Sequence, residues 1–298
     1  MNIYIIPVNK VFQPETAKIK YPRHSSYIGV ERVFYNWMKE QRAVLVQNAK
    51  EADWCYLPIF WTNYFLNHDF AKSGIEELEA ECKRVLTFPE KTFTLCQYAQ
   101  GPIVDLKGAV CFLASRKKEN GFDFDMPLLC SPHKFVKRRK KYIASFVGRV
   151  STHPVRRELC RIIKHDRQFL FLGGRWGEKI FVRVMEKSYV CFCPRGFGGG
   201  SFRFYEAMQM GVVPVHIGDI DVRPFKNQID WESCSFYFED PFEAVRVLKR
   251  CSEEKLLDMG NQAARIYKDI FSDDHWCGYL LCELSGGGRE SSKQEEKS

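Results

Sequence analysis

The chain has 298 residues, 45% hydrophobic and 28% charged, with 45 Lys and Arg against 37 Asp and Glu for a net charge of +8. That length and apolar content exclude a disordered or fibrous chain and allow two domains of ordinary size, and the modest positive balance suits phosphorylated ligands without requiring nucleic acid. No stretch reaches the about 18 apolar residues of a membrane span, the start MNIYIIPVNK lacks a basic flank and long apolar core, and the twelve cysteines are scattered, so a cytoplasmic protein with reduced thiols is expected.

In chain order, apolar runs at 3–8, 54–60, 92–98 and 110–114 predict strands, separated by helical stretches at 27–41 and 75–84. That alternation makes a parallel α/β half. The basic run KFVKRRKK at 134–141 follows, read as a solvated hinge or a rim that attracts acidic substrate rather than a nucleic-acid patch. A strand at 142–147 opens a second set. Thr152, His153 and Pro154 then mark a helix start, and Val155, Leu159, Ile162 and Ile163 share one face of that helix. Strands at 169–172, 189–193, 212–217 and 234–238, with helices at 179–187, 201–210, 242–249 and 253–270, complete this half. The stretch 274–284 is expected to pack back on the N-terminal half, and the tail 285–298, almost without apolar residues, to be disordered. The expected organisation is a domain at 1–136, a second at 137–270, a returning helix at 271–284 and the tail.

The segment FCPRGFGGGSFRFYEAMQMGVVPVHIGD, residues 192–219, carries most of the chemistry. A buried strand runs into a glycine loop, and Ser201 stands at the N-cap of the helix behind it. Open α/β sheets bind ligands at the carboxyl ends of their strands. Unhindered glycine N–H groups and a helix N-terminus favour anions there, and Arg195 and Arg203 can add bidentate phosphate contacts. Taken singly, each residue has a plainer reading: a turn glycine, a solvated arginine, or Glu206 as the i,i+3 ion-pair partner of Arg203. No Gly-Lys-Ser/Thr closes a P-loop. Gly196, Gly198 and Asp219 approximate a dinucleotide fingerprint but Ser201 takes its third glycine position, so an NAD-dependent oxidoreductase stays open as an alternative.

Two weaker features flank this loop. Gly148-Arg149 ends a strand and reads equally as an exposed turn or a phosphate contact. The triplets Asp123/Asp125 and Asp219/Asp221 have the spacing of manganese-binding pairs, a spacing common by chance; Asp219 and Asp221 follow a strand on the ligand face, within reach of a ribose or sugar hydroxyl.

Pro194, Arg195 and Gly196, then Gly200, Ser201, Phe202, Arg203, Phe204 and Glu206, then Val213, Pro214 and Val215 together resemble the signature of the exostosin-like glycosyltransferases of family 47. Pro224, Phe225, Ile229 and Trp231 extend the likeness, as do Ala144, Ser145, Phe146, Gly148 and Arg149. The resemblance implies an α/β fold of GT-B type, two Rossmann-like domains facing a central cleft. It implies an inverting, metal-independent transfer, without a cofactor, from a UDP-sugar, UDP-xylose first, to a glycan such as that of a capsid or surface glycoprotein. Arg149, Arg195, Gly196, Gly200, Ser201 and Arg203 would bind the donor diphosphate, Glu206 its ribose and Asp219 a hydroxyl. An inactive carbohydrate-binding relative is the non-enzymatic alternative.

The base for such a transfer should come from the N-terminal half, where His24, Glu31, His68, Asp69 and Asp105 are candidates. Glu31 stands first, because Tyr27 and Glu31, followed by Glu51, Ala52, Asp53 and Pro58, resemble the family's N-terminal helix and next strand. The chain resembles compact, anchorless forms from bacteria and large algal DNA viruses, which in a virus implies the host cytoplasm. It departs from the family at Phe197, Gly198 and Gly199, where members often carry further arginines, and at 97–102, where many have an Arg-Asp-His element.

Overall fold

The computed structural model describes residues 1–19, 29–120, 124–130 and 132–286. They form two compact α/β units, the first holding the described residues up to Met126 and those from Asp273 onward, the second those from Pro127 to Ser272. His24, Tyr27 and Asp123, and the tail beyond 286, lie outside the described residues.

In the first unit, β1 (Ile3–Ile5), β2 (Trp54–Tyr56), β3 (Thr92–Cys96), β4 (Val110–Leu113) and β5 (Phe124–Asp125) pair in sequence order, all parallel. The helices are α1 (Val30–Glu40), α2 (Trp61–Asn67) and α3 (Ile75–Val85). In α1 the buried Val30, Phe34 and Met38 recur every four residues and face the sheet, where Phe34 meets Tyr56 edge-on at 5.1 Å. In α3, Glu76 and Glu77 lie in the first turn and Lys83 and Arg84 in the last, which complements the helix dipole. The strand expected across 54–60 stops at Tyr56, and α2 follows it. Trp61 to Leu66 are all buried, so α2 has no polar face and no amphipathic signal in the sequence.

The second unit holds β6 (Tyr142–Gly148), β7 (Phe169–Gly173), β8 (Ser188–Pro194), β9 (Val213–Ile217) and β10 (Phe236–Phe238), with α4 (Pro154–Ile163), α5 (Glu178–Glu186), α6 (Phe202–Gln209), α7 (Pro241–Leu248) and α8 (Glu253–Ile266). Helix starts are capped as composition demands: His153 accepts from Val155 N, Asp240 from Phe242 N and Ser252 from Lys255 N, with Pro154 and Pro241 at first helical positions. A π-helical turn, Tyr267–Phe271, extends α8. It ends the unit with Phe271 stacked on Trp231 at 5.9 Å. The last helix, α9 (Trp276–Gly286), belongs to the first unit, where Trp276 packs 6.0 Å from Phe34. Among the described residues no helix is long and apolar enough to cross a membrane.

The division falls at Met126/Pro127, ahead of the expected 137, because the basic run is held by the second unit. Val136 N and Arg138 Nε both donate to the Glu186 carboxylate, at 2.7 and 2.6 Å, and Lys141 N donates to Lys187 O at 2.7 Å. The run is therefore an extended ribbon tied to the second unit, with most of its side chains exposed, rather than a free hinge.

Sheet order in the second unit is β10-β9-β8-β6-β7, all parallel. Chain order thus reverses between β6 and β8, and such a switch point is where open parallel sheets take ligands. The β6–β8 pairing ends at Ser145↔Cys191, whereas β6 stays paired with β7 to Gly148↔Gly173 and β8 with β9 to Pro194↔Ile217. The two central strands therefore part at their carboxyl ends.

Candidate functional site

The carbonyls freed where β6 and β8 part are satisfied by two guanidinium groups. Arg156, two residues into α4 and buried, donates from Nε to Arg195 O at 2.8 Å, and its two terminal nitrogens donate to Pro194 O at 2.9 Å and Arg149 O at 3.1 Å. Arg203, on α6, donates to Val147 O at 2.8 Å and to Ser201 Oγ at 3.3 Å. Both lie over the Phe146 ring, Arg203 at 4.9 Å and Arg156 at 5.8 Å from its centroid. Burial, and after it the neighbouring Arg203 charge, brings Arg156 down to about 9. Two cations packed this closely make the end of the sheet electropositive.

Gly148 makes this approach possible. Its φ is +154°, and a Cβ there would stand 2.7 Å from a terminal nitrogen of Arg203. On the far side of the crevice, the backbone N–H of Arg195 donates to Ile217 O, which ties the loop to β9. The Arg195 side chain is buried, crosses Gly218, and pairs with the exposed Asp219 carboxylate. Burial works to raise the Asp219 carboxyl, but its bond to Arg195 and that cation's charge hold it below its ordinary value.

Three donors around this loop have no hydrogen-bond partner in the protein although their atoms are buried: Arg195 Nε, Arg203 Nε and Thr152 Oγ1. A Cβ on Gly196 would lie 3.8 Å from that threonine hydroxyl. Buried donors left unpaired are costly, and an anion is the ligand chemistry that satisfies such a set. Ser201 does stand at the N-cap of α6, but its hydroxyl accepts from Arg203 rather than from the helix backbone. Gly196 and Gly200 are partly exposed in the loop, and Arg149 is exposed at the end of β6. The expected diphosphate residues are thus gathered at one sheet end, and Arg156 and Thr152 join them.

Glu206 is placed differently from the expectation. Its side chain is 0% exposed, and Oε1 accepts from His133 Nε2 at 3.0 Å. It does not pair with Arg203, which faces the β6 end instead. A carboxylate without exposed area does not present itself to a ribose in this conformation; it fixes the segment before β6 to α6. His133 Nδ1 bonds Glu178 at 2.9 Å, at the start of α5. The Glu206 bond raises the His133 pKa above its ordinary value, burial opposes this, and the Glu178 bond reinforces it. A raised imidazole stabilises the fold fully below its unfolded pKa of about 6.5, and that contribution is lost as pH rises through the folded value. Urea denaturation should therefore show wild type exceeding His133→Gln by more near pH 6 than near pH 9; an equal gap at both would sink this reading.

In the first unit Glu31 is 1% exposed and is not presented as a base. Its Oε1 accepts from Thr62 N at 3.2 Å, Thr62 Oγ1 at 2.6 Å and Gln97 N at 3.1 Å, so this carboxylate ties α1 to the start of α2 and the end of β3. The other described candidates make local contacts. His68 Nδ1 bonds Tyr64 O at 2.8 Å, Asp69 pairs with Lys72 at 3.0 Å, and Asp105 accepts from Lys107 N at 2.8 Å. Asp125 takes a bidentate contact from Arg116, a structural role, and Asp221 is paired with Arg223 and Lys226. Among the described residues no three His, Cys, Asp or Glu side chains are grouped as metal ligands. The twelve cysteines are free thiols.

Both units have parallel α/β architecture, and the arginine-lined crevice at the switch point of the second is a candidate site for a phosphate-bearing ligand. The chain is similar to exostosin-like proteins: its residues 112–250 match the model of the Exostosin GT47 domain. It is similar to Exostosin-1 of Drosophila melanogaster, 23% identical over 225 residues, which cover 62% of this chain and 29% of that one. It is also similar to a probable glucuronosyltransferase of Oryza sativa subsp. japonica, 31% identical over 107 residues, which cover 32% of this chain and 24% of that one. The chain thus spans less than a third of the length of these curated relatives. Among solved structures, the glycosyltransferase AviGT4, involved in avilamycin A biosynthesis, is similar with a TM-score of 0.38 and 14% identity over 96% of this chain and 98% of that one.

Proposed function

We propose that the chain is a glycosyltransferase that moves a sugar from a UDP-sugar to a glycan acceptor with inversion and without a metal. The observation that carries this reading is the set of buried, unpartnered donors on Arg195, Arg203 and Thr152 where β6 and β8 part. Such donors, fixed before the ligand arrives, stabilise the charge that builds on a departing diphosphate. Arg149 and Arg195 supply cations, Gly196 and Gly200 admit the phosphates close to the backbone, and Arg156 holds the loop from behind. The acceptor hydroxyl oxygen bonds to the anomeric carbon from the side opposite the diphosphate as the carbon–oxygen bond to phosphate breaks, UDP leaves with the electron pair, and the hydroxyl proton passes to a carboxylate or imidazole on the acceptor side. UDP-xylose is the first donor to try, and the glycan of a capsid or surface glycoprotein the first acceptor.

A thermal-shift series with UDP, GDP, NAD and several UDP-sugars, each with and without EDTA, tests the reading. Stabilisation by UDP that survives EDTA is expected. Stabilisation by NAD alone would replace it with the oxidoreductase.

A further inference from the structure

Trp176 is the exposed member of the six tryptophans, with 43% of its surface in water. It lies in the turn between β7 and α5. A singly exposed ring is ordinary on a protein surface, so what matters here is where this one is fixed. The ring is held rather than loose, because Nε1 donates to Gly173 O at 3.0 Å. That carbonyl belongs to the residue paired with Gly148, and Gly174 N donates to Gly148 O at 3.1 Å. The indole turn therefore adjoins the Gly148-Arg149 end of β6, one wall of the crevice.

The turn around it is open to solvent. A Cβ built at Gly174, whose φ is +106°, or at Gly177 meets nothing within 4 Å. The turn is also tied to the helix behind the glycine loop, since Glu178 bonds His133 and His133 bonds Glu206 on α6. Trp176 thus follows the end of β7 beside the Gly148-Arg149 end of β6, and β8 on the other side of β6 leads into Arg195.

We infer that the Trp176 indole is the platform on which the base of the nucleoside diphosphate stacks. This rests on the donor reading above and adds to it the residue that distinguishes a nucleotide from a bare diphosphate. Base–aromatic stacking in proteins contributes roughly tenfold to a hundredfold in affinity and tolerates exchange of one aromatic ring for another.

Titration calorimetry with UDP and with inorganic pyrophosphate on wild type, Trp176→Ala and Trp176→Phe tests this. UDP affinity should fall about tenfold to a hundredfold in Trp176→Ala and largely return in Trp176→Phe, with pyrophosphate affinity equal in all three. Unchanged UDP affinity in Trp176→Ala would overturn the stacking and leave the donor reading standing. Loss of pyrophosphate together with UDP would also overturn it, showing that the ring merely holds the turn. Wild type that binds neither ligand removes the donor reading and the stacking with it.

Discussion

Arg195→Ala is expected to lower turnover of the preferred UDP-sugar by about a hundred- to a thousandfold, the usual cost of one preorganised donor to developing charge. The fold should survive. The loop is fixed to β9 through the Arg195 backbone N–H, which alanine keeps, and Asp219, the side chain's partner, is exposed and able to hydrate. Arg195→Lys should recover only part of the loss, because an ammonium is a point charge and does not reproduce the fork that reaches Asp219 and a phosphate together. The measurement is UDP release from a donor panel, alongside the thermal midpoint of each variant. Wild-type turnover in the alanine variant would sink the assignment of Arg195 to the leaving group. A fall in turnover matched by a fall in midpoint would place Arg195 in the fold instead.

The strand–loop–helix around Arg195 was legible because its signals are local. β8, the glycine loop and α6 follow one another along the chain, and the observed α6 begins at Phe202, immediately after the expected N-cap. Parallel α/β architecture was legible for the same reason: apolar runs mark β3, β4, β6 and β9 within a residue or two. The functions of buried charged residues were not legible, since they depend on partners far away in sequence. Glu31 looks like a helix-start carboxylate, yet its partners are Thr62 and Gln97, 31 and 66 residues away. Glu206 sits one turn into α6 like a ribose ligand, and its imidazole partner is 73 residues earlier. Arg156 was the hardest to see, because next to Arg157 on an amphipathic helix it reads as a solvated face. The available hint was its place two residues after the His153-Pro154 helix start, which follows the Gly148-Arg149 strand end. A residue at the first turn of that helix points back over the strand end.

Arg156→Met should be the most damaging substitution to stability at this site. The variant keeps most of the volume, so its cost reports the loss of the guanidinium, both its hydrogen bonds and its place over the Phe146 ring. Those bonds serve Arg149 O, Pro194 O and Arg195 O, and no strand pairing takes over, because β6 and β8 have already parted. A buried acceptor left without a donor costs about 1–3 kcal/mol, and with water reaching some of the three the expected total is about 2–5 kcal/mol. Removing a buried cation close to Arg203 returns part of this, since their charges repel. Arg156→Lys should rescue little, because one ammonium does not span three carbonyls on two strands. Urea denaturation gives the loss directly, and UDP binding by whatever variant remains folded should weaken too, because the loop that Arg156 braces carries Arg195 and Gly196. A midpoint within error of wild type would show that the crevice holds its shape without this arginine, and the loop would then owe its conformation to the Arg195 and Arg203 contacts alone.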